Sequence, residues 1–158
     1  MRSLLLVGEY ELSLDDKSRV LIPAEIRKKM DVQRDGEAFY LVLGRNRQPW
    51  LYCEKFYEEL VASQRPADLM PSEDENAYDQ LIFGMAARLE MDKAGRVLIP
   101  QKMRKRTGLA DEITVVGVKD HLELWNRDAW EARFNGLFER QGEVAAKAKA
   151  AHPAPPAQ

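Results

Sequence analysis

Apolar and polar residues alternate with a period of two in two separate stretches of the chain. Residues 9–14 read EYELSL, and residues 87–91 read ARLEM. This period places every second side chain on the same face of an extended chain, so each stretch is predicted to be a half-buried β-strand. A similar segment, identical at eight of 14 positions, follows each of the two strands.

The segment after each strand is an internal repeat. Residues 15–28 read DDKSRVLIPAEIRK and residues 92–105 read DKAGRVLIPQKMRK, an ungapped match at an offset of 77 residues. The Asp that opens each copy predicts a tight turn, and Val-Leu-Ile is a short β-rich run. The proline that follows fits the first turn of a helix, where its missing N–H removes no hydrogen bond. Each copy is therefore predicted to form a strand, a turn, a second strand and a short basic helix.

The rest of the pattern completes two similar units. A hairpin follows each repeat, at 39–52 and 113–125, and Ser72 with Glu75 has the spacing of a helix capping box. A unit of about 50 residues buries little core alone, so we expect the two units to pack together around a pseudo-two-fold axis. The predicted fold class is mainly β with flanking helices, that is, α+β. The predicted boundaries are 9–56 for the first repeat, 57–85 for an acidic helical connector, 86–129 for the second repeat, 130–140 for a C-terminal helix and 141–158 for a disordered Ala/Pro-rich tail.

Composition changes this picture through the distribution of charge. The 158 residues include 24 Lys and Arg and 26 Asp and Glu, which gives a net charge of −2. Lys93–Arg106 nevertheless contains six basic residues and no acidic one, and Lys17–Lys29 contains five basic residues and one acidic. Each repeat therefore carries a local positive field on a chain that is nearly neutral.

The single cysteine and the short apolar runs limit the classes of protein. Cys53 has no second cysteine for a disulfide or a metal site, and no histidine lies at catalytic spacing from it. The N-terminal apolar run is too short for a signal peptide, and no window approaches the roughly 20 apolar residues that span a membrane. Because no nucleophile, base, metal site or phosphate loop is recognisable, we expect no enzyme activity, cofactor or small-molecule substrate. The chain is predicted to be cytoplasmic.

Arg19 and Arg96, at the end of each turn, are the leading candidates for a functional role. One interpretation is a salt bridge within the hairpin to Asp15 or Asp92, worth at most about 1 kcal/mol when exposed. The other is contact with DNA, because a planar guanidinium suits guanine O6 and N7 and also phosphate oxygen atoms. The two interpretations are compatible, since the carboxylate can hold the arginine extended from the turn.

Further basic residues surround both turns. For any one of them, a solvated helix face is an equally good interpretation, but together they are typical of phosphate contacts that supply affinity. The candidate phosphate contacts are Lys17 and Lys93 in the turns and Arg27, Lys28, Arg104 and Lys105 on the helices.

The paired motifs resemble the MraZ family of bacterial transcriptional regulators, which are built from two AbrB/SpoVT-like swapped-hairpin units. The resemblance rests on DDKSR and DKAGR, each followed by VLIP and a basic helix, and it covers most of residues 1–140. It implies a swapped-hairpin β-barrel made by the two repeats, in a ring-like homo-oligomer. It also implies binding to short tandem repeats of double-stranded DNA upstream of the cell-division and cell-wall gene cluster, which includes the family member's own gene. Repression, nucleoid association and DNA contact by Arg19 and Arg96 complete what the resemblance implies.

One residue departs from the family pattern. Ser18 stands where the second copy has Gly95 and where the family often has glycine. If this position needs a positive φ, a serine there is strained by about 1–2 kcal/mol. We then expect the first turn to differ in shape from the second.

A protein-interaction module is the alternative function. AbrB-like folds also serve as antitoxins, which bind a toxin as well as DNA. A toxin-binding antitoxin usually needs an extended tail with apolar anchors, whereas residues 145–158 read AAKAKAAHPAPPAQ and have almost none. The sequence therefore favours a DNA-binding regulator over this alternative.

Overall fold

A computed structural model describes residues 3–64, 66–152 and 156 of the chain. The chain forms two compact units, Met1–Asn126 and Arg127–Gln158. The first unit contains the strands of both repeats, which are all the strands of the described residues. The strands are β1 (Leu6–Ser13), β2 (Arg19–Leu21), β3 (Ala38–Leu43), β4 (Pro49–Cys53), β5 (Ala87–Glu90), β6 (Arg96–Leu98), β7 (Glu112–Lys119) and β8 (His121–Asn126). The helices of the first unit are α1 (Ala24–Lys29), α2 (Val32–Asp35), α3 (Glu54–Ala62), α4 (Glu73–Met85) and α5 (Gln101–Thr107).

The strands form a large antiparallel sheet and a separate two-stranded ribbon. The sheet has six strands in the order β1-β7-β8-β4-β3-β5, and the ribbon pairs β2 with β6. The predicted α+β class is confirmed. The sheet is open, with β1 and β5 at its edges, and does not close into the barrel that the resemblance implies. The reason is that the second strand of each repeat leaves the sheet after the turn. These two strands, β2 and β6, pair with each other instead of with the strands of the sheet.

The two repeats exchange strands reciprocally. The first strand of each repeat pairs with the third strand of the other, β1 with β7 and β5 with β3. In the ribbon, Val20 pairs with its equivalent Val97. In the sheet, Trp50 pairs with Glu123, and the two are equivalent because the offset between the repeats is shorter in β4 and β8, where Cys53 corresponds to Asn126. A pseudo-two-fold axis therefore passes through both pairs, as the internal repeat predicts.

The core is shared between the repeats. Val20, Ile22 and Phe39 of the first repeat and Val97 and Ile99 of the second are at most 1% exposed and belong to one apolar cluster. Because the buried residues alternate with exposed ones along β2 and β6, the ribbon lays one face on this cluster. Burial against the other repeat supplies what a unit of this size lacks by itself.

The capping geometry confirms the predicted start of a helix at Ser72 and defines two further helix ends. The Ser72 hydroxyl accepts a hydrogen bond from Glu75 N at 3.2 Å and begins α4. Gly108 ends α5 with a left-handed φ of 73°, as a C-terminal glycine cap does. Helix α2 was not predicted; it begins at Asp31, whose side chain accepts from Gln33 N and Arg34 N.

The second unit consists of α6 (Arg127–Glu139) and α7 (Gln141–Ala151). Helix α6 matches the predicted helix, whereas α7 lies where a disordered tail was expected. Alanine, lysine and glutamate are strong helix formers, and Lys147 Nζ lies 2.8 Å from Glu143 Oε1 one turn away, so this composition supports a helix. Of the expected tail, residues 153–155 and 157–158 lie outside the described residues.

Across the part of the chain that the structure describes, none of the helices combines the length and the apolar character needed to cross a membrane.

Candidate nucleic-acid interface

The aspartate that opens each turn holds the backbone of the turn in place. Asp15 Oδ1 accepts hydrogen bonds from the backbone N–H groups of Lys17 and Arg19, both at 2.9 Å. Asp92 Oδ1 does the same in the second turn for Ala94 and Arg96, again at 2.9 Å. The Asp at this position is therefore a structural requirement of the turn in both repeats.

The second carboxylate oxygen orients the arginine. Arg19 Nε donates to Asp15 Oδ2 at 2.7 Å, and Arg96 Nε donates to Asp92 Oδ2 at 3.0 Å. The two arginine side chains are 28% and 36% exposed. The Nε bond holds one edge of each guanidinium against its aspartate and so limits the positions that the arginine side chain can take. The salt bridge within the hairpin and contact with DNA are thus compatible with one geometry of the arginines.

The same contacts keep the two aspartates ionised. The backbone N–H of Arg19 is the largest influence that lowers the pKa of Asp15 below its ordinary 3.8, and the Arg19 side chain adds to it. The backbone N–H and side chain of Arg96 lower the pKa of Asp92 in the same order. Both carboxylates therefore remain charged partners of the arginines at neutral pH.

The ribbon brings the two turns together. Arg19 lies opposite Leu98, and Leu21 lies opposite Arg96, on the two sides of the Val20–Val97 pair. Arg96 Nη1 is 3.7 Å from Asp15 Oδ2, so the guanidinium of the second repeat reaches the turn of the first. The two candidate arginines, which are 77 residues apart in sequence, thus occupy one face of one ribbon.

Backbone hydrogen bonds lock the turns to each other. Ile22 N donates to Gly95 O at 2.9 Å, and the equivalent Ile99 N donates to Ser18 O at 2.8 Å. Each turn is thereby tied to the strand of the other repeat. The spacing of the two arginines is therefore set by the shared ribbon instead of by two independent loops.

The predicted basic residues divide into exposed lysines and internally bonded arginines. Lys17 and Lys93 in the turns and Lys28 and Lys105 on α1 and α5 are exposed, as a phosphate contact requires. Arg27 and Arg104, which occupy equivalent positions on the two helices, are only partly exposed. The structure places these two arginines behind the turns.

Arg27 and Arg104 each support the turn of the other repeat. Arg27 Nε donates to Ile22 O at 2.8 Å, and its side chain lies against Gly95. Arg104 donates to the Ser18 hydroxyl at 2.9 Å and to Leu109 O at 3.2 Å. Its Nη2 also donates to the exposed Asp111 carboxylate at 2.7 Å. Sequence reasoning missed these roles, because the contact from Arg104 to Ser18 spans 86 residues.

Ser18 adopts the strained conformation, and its turn keeps the shape of the second one. Its φ is 63°, against 88° for Gly95, and Ser18 N donates to Asp15 O at 2.9 Å as Gly95 N donates to Asp92 O at 3.0 Å. The expected difference in turn shape is therefore absent. The Ser18 hydroxyl is buried and accepts hydrogen bonds from Gln101 Nε2 and Arg104 Nη1, both at 2.9 Å, which offsets the strain.

The surroundings of Cys53 and His121 are those of residues with a structural role. Burial raises the pKa of the Cys53 thiol to about 12, so the thiol stays protonated at neutral pH. His121 stacks on Trp50 with 3.8 Å between ring centroids and lies between the Asp120 and Glu123 carboxylates. Among the described residues, no group of three or more His, Cys, Asp or Glu side chains is placed to hold a metal ion.

Comparisons with known proteins agree on one family. A family model described as "MraZ protein, putative antitoxin-like" matches residues 82–150. The chain is similar to a protein of Acetivibrio thermocellus named "Transcriptional regulator MraZ", with 34% identity over 125 residues that cover 79% of this chain and 83% of the relative. Proteins of the same name from Carboxydothermus hydrogenoformans and Thermoanaerobacter sp. (strain X514) are 32% and 30% identical, over 90% and 89% of this chain and 96% and 94% of theirs.

Proposed function

Because the chain belongs to the MraZ family, we propose that it is a DNA-binding transcriptional regulator. The observation that carries the proposal is the position of Arg19 and Arg96 on one exposed face of the β2–β6 ribbon. A two-stranded ribbon fits the major groove of B-DNA, and arginine binds guanine O6 and N7 there through two hydrogen bonds. Two guanidinium groups fixed on one ribbon therefore suit the reading of two guanines in a single groove.

The aspartates and lysines complete the proposed interface. Asp15 and Asp92 hold the Nε end of each arginine, which fixes the direction of the Nη groups and lowers the entropy lost on binding. The exposed Lys17, Lys93 and Lys28 contact phosphates in this proposal, as does Lys105. These contacts carry no sequence information, but they supply affinity that falls with rising salt concentration.

The target and the assembly extend the proposal. The DNA is a set of short tandem repeats upstream of the cell-division and cell-wall gene cluster that includes the protein's own gene, and binding represses that cluster in the cytoplasm, at the nucleoid. One ribbon reads few base pairs, so a ring-like homo-oligomer of swapped-hairpin units gains affinity by placing several ribbons on successive repeats. The reciprocal pairing of β1 with β7 and of β5 with β3 supports the swapped-hairpin arrangement.

A gel-shift experiment with DNA from upstream of the gene tests this function. Arg19→Ala and Arg96→Ala are each expected to weaken binding about tenfold to a hundredfold, because a two-hydrogen-bond contact to guanine contributes about 1–3 kcal/mol. Arg45→Ala is the matched control, since Arg45 is exposed in the β3–β4 loop and lies outside the ribbon. Unchanged binding by both ribbon variants would remove the assigned site.

Toxin binding is the second candidate function, and the family description favours it. The described part of the tail forms α7, in which no residue is buried and in which alanine and lysine predominate. A helix of this composition offers few large apolar anchors for a partner protein. Recovery of a stoichiometric second protein from cells, together with loss of that protein on removal of residues 141–158, would support this candidate over DNA reading.

A further inference from the structure

The exposed face of the β2–β6 ribbon contains two leucines besides the two arginines. Along each strand, Val20 and Val97 point into the core, and Leu21 and Leu98 point outward with 39% and 55% of their surface exposed. The arginines alternate with these leucines, because Arg19 lies opposite Leu98 and Arg96 lies opposite Leu21. The face thus presents the same basic and apolar pair twice, once on each side of the pseudo-two-fold axis.

Phosphate binding does not explain the leucines. A surface that only neutralised phosphates would gain nothing from apolar side chains beside its cations, since phosphate contacts use polar and basic groups. On the major-groove edge of the base pairs, the apolar group is the 5-methyl of thymine, and apolar side chains recognise it by direct contact. The two leucines therefore match the one feature of the groove that arginine does not read.

We infer that Leu21 and Leu98 are specificity-determining residues that pack against thymine 5-methyl groups next to the guanines read by Arg96 and Arg19. This inference rests on the proposed DNA-binding function. Directly opposite side chains on an antiparallel ribbon are about 5 Å apart, and successive bases are about 3.4 Å apart along a strand. An arginine and the leucine opposite it therefore reach neighbouring base pairs. Each arginine has the leucine of the other repeat as its neighbour, so the two repeats build each half of the reading face together.

Replacement of thymine by deoxyuridine tests the inference, because it removes the 5-methyl group and leaves base pairing unchanged. The probe is a duplex from upstream of the gene, prepared with thymine or with deoxyuridine throughout the bound segment. Wild-type protein is expected to lose about fourfold in affinity for each methyl group that a leucine contacts. The Leu21→Ala and Leu98→Ala double variant is expected to bind the thymine duplex as weakly as wild type binds the deoxyuridine duplex, with no further loss on deoxyuridine DNA.

Leu81→Ala is the matched control, because Leu81 is 51% exposed on α4 and lies outside the ribbon. This variant is expected to keep the wild-type preference for thymine. Equal affinity of wild type for the two duplexes would overturn the role of the leucines and leave the DNA-binding function standing. Failure of wild type to bind either duplex, with Arg19→Ala and Arg96→Ala indistinguishable from it, would overturn both. A change in the mass of the leucine variant in solution, with its thymine preference intact, would assign the leucines to contact between copies and overturn the inference.

Discussion

The residue before the ribbon arginine is Ser18 in the first turn and Gly95 in the second, and both have a positive φ, 63° and 88°. Gly95 meets this requirement because it has no side chain. The Arg27 side chain takes the space beside it, so a Cβ on residue 95 would lie only 2.6 Å from Arg27 Cδ. Ser18 meets it with a buried hydroxyl that accepts hydrogen bonds from Gln101 and Arg104. The comparison teaches that a left-handed turn position is stabilised either by leaving out the Cβ or by fixing a small polar side chain from outside.

The arginines behind the turns give the largest expected difference between the repeats. Arg104→Ala removes the bonds to the Ser18 hydroxyl and to Leu109 O and leaves a buried hydroxyl with one donor fewer, so we expect a loss of about 3 kcal/mol in the free energy of unfolding. Arg27→Ala removes one hydrogen bond, to Ile22 O, and is expected to cost about 1 kcal/mol. Urea denaturation of the two variants measures the difference. Equal losses would contradict the view that the first turn depends more heavily on its supporting arginine.

Exchanging the residues before the arginines gives the next largest effect. Gly95→Ser places a side chain in the left-handed region and against Arg27, and we expect it to destabilise the protein by about 2 kcal/mol. Ser18→Gly relieves the strain but loses the acceptor of Gln101 and Arg104, so its net cost is expected to be below about 1 kcal/mol. The denaturation midpoints of the two variants provide the measurement. A Gly95→Ser protein as stable as wild type would contradict the prediction that Arg27 leaves no space for a side chain at this position.

The two aspartates give the smallest difference, which is confined to acid. Since the pKa values of Asp15 and Asp92 are below 3.8 in the folded protein, their contribution to stability is complete above the unfolded pKa and is lost as the pH falls through the folded values. Asp15 lies near both arginines, at 2.7 Å from Arg19 and 3.7 Å from Arg96, so we expect it to protonate at the lower pH. NMR titration of the two side-chain carboxyl carbons measures both values. A lower pKa for Asp92 would reverse this order, and a change in stability near pH 6 that disappears in Asp15→Asn would contradict the assignment.

The local features of the fold were predictable from sequence, because neighbouring residues determine them. The turns follow from an aspartate that bonds to N–H groups two and four residues later, and Ser72 is a cap that acts within the first turn of its helix. The repeat itself predicted that the two units pack together around one axis. The turn and cap signals lie within a few residues of the structure that they specify, whereas the repeat relates segments that are 77 residues apart.

Features that depend on pairing across the repeats were not predictable in the same way. The resemblance implies a closed barrel, whereas the sheet is open because β2 and β6 pair with each other outside it. The basic spacing of α1 and α5 suggested that Arg27 and Arg104 lie on an outer face, but both bond to groups behind the turns. In the described part of the tail, helix propensity prevailed over a composition that had indicated disorder.

The alternation within Val-Leu-Ile contained a signal that was not used. In both copies the Val and the Ile are buried and the Leu is exposed, which is the period of two expected for a strand with one face on the core. A β-rich run of three apolar residues invites the interpretation that all three are core residues. The period of the strand would have placed Leu21 and Leu98 on the same side as the arginines.

The reciprocal exchange of strands has a consequence for how the protein can vary. A single copy of the repeat could complete the same sheet only by association of two identical chains, and every substitution would then appear on both sides of the axis. Because both copies lie in one polypeptide, a mutation alters one half and spares its counterpart. Ser18 and Gly95 are an example of such independent divergence, and the same freedom applies to the side chains on each half of the ribbon.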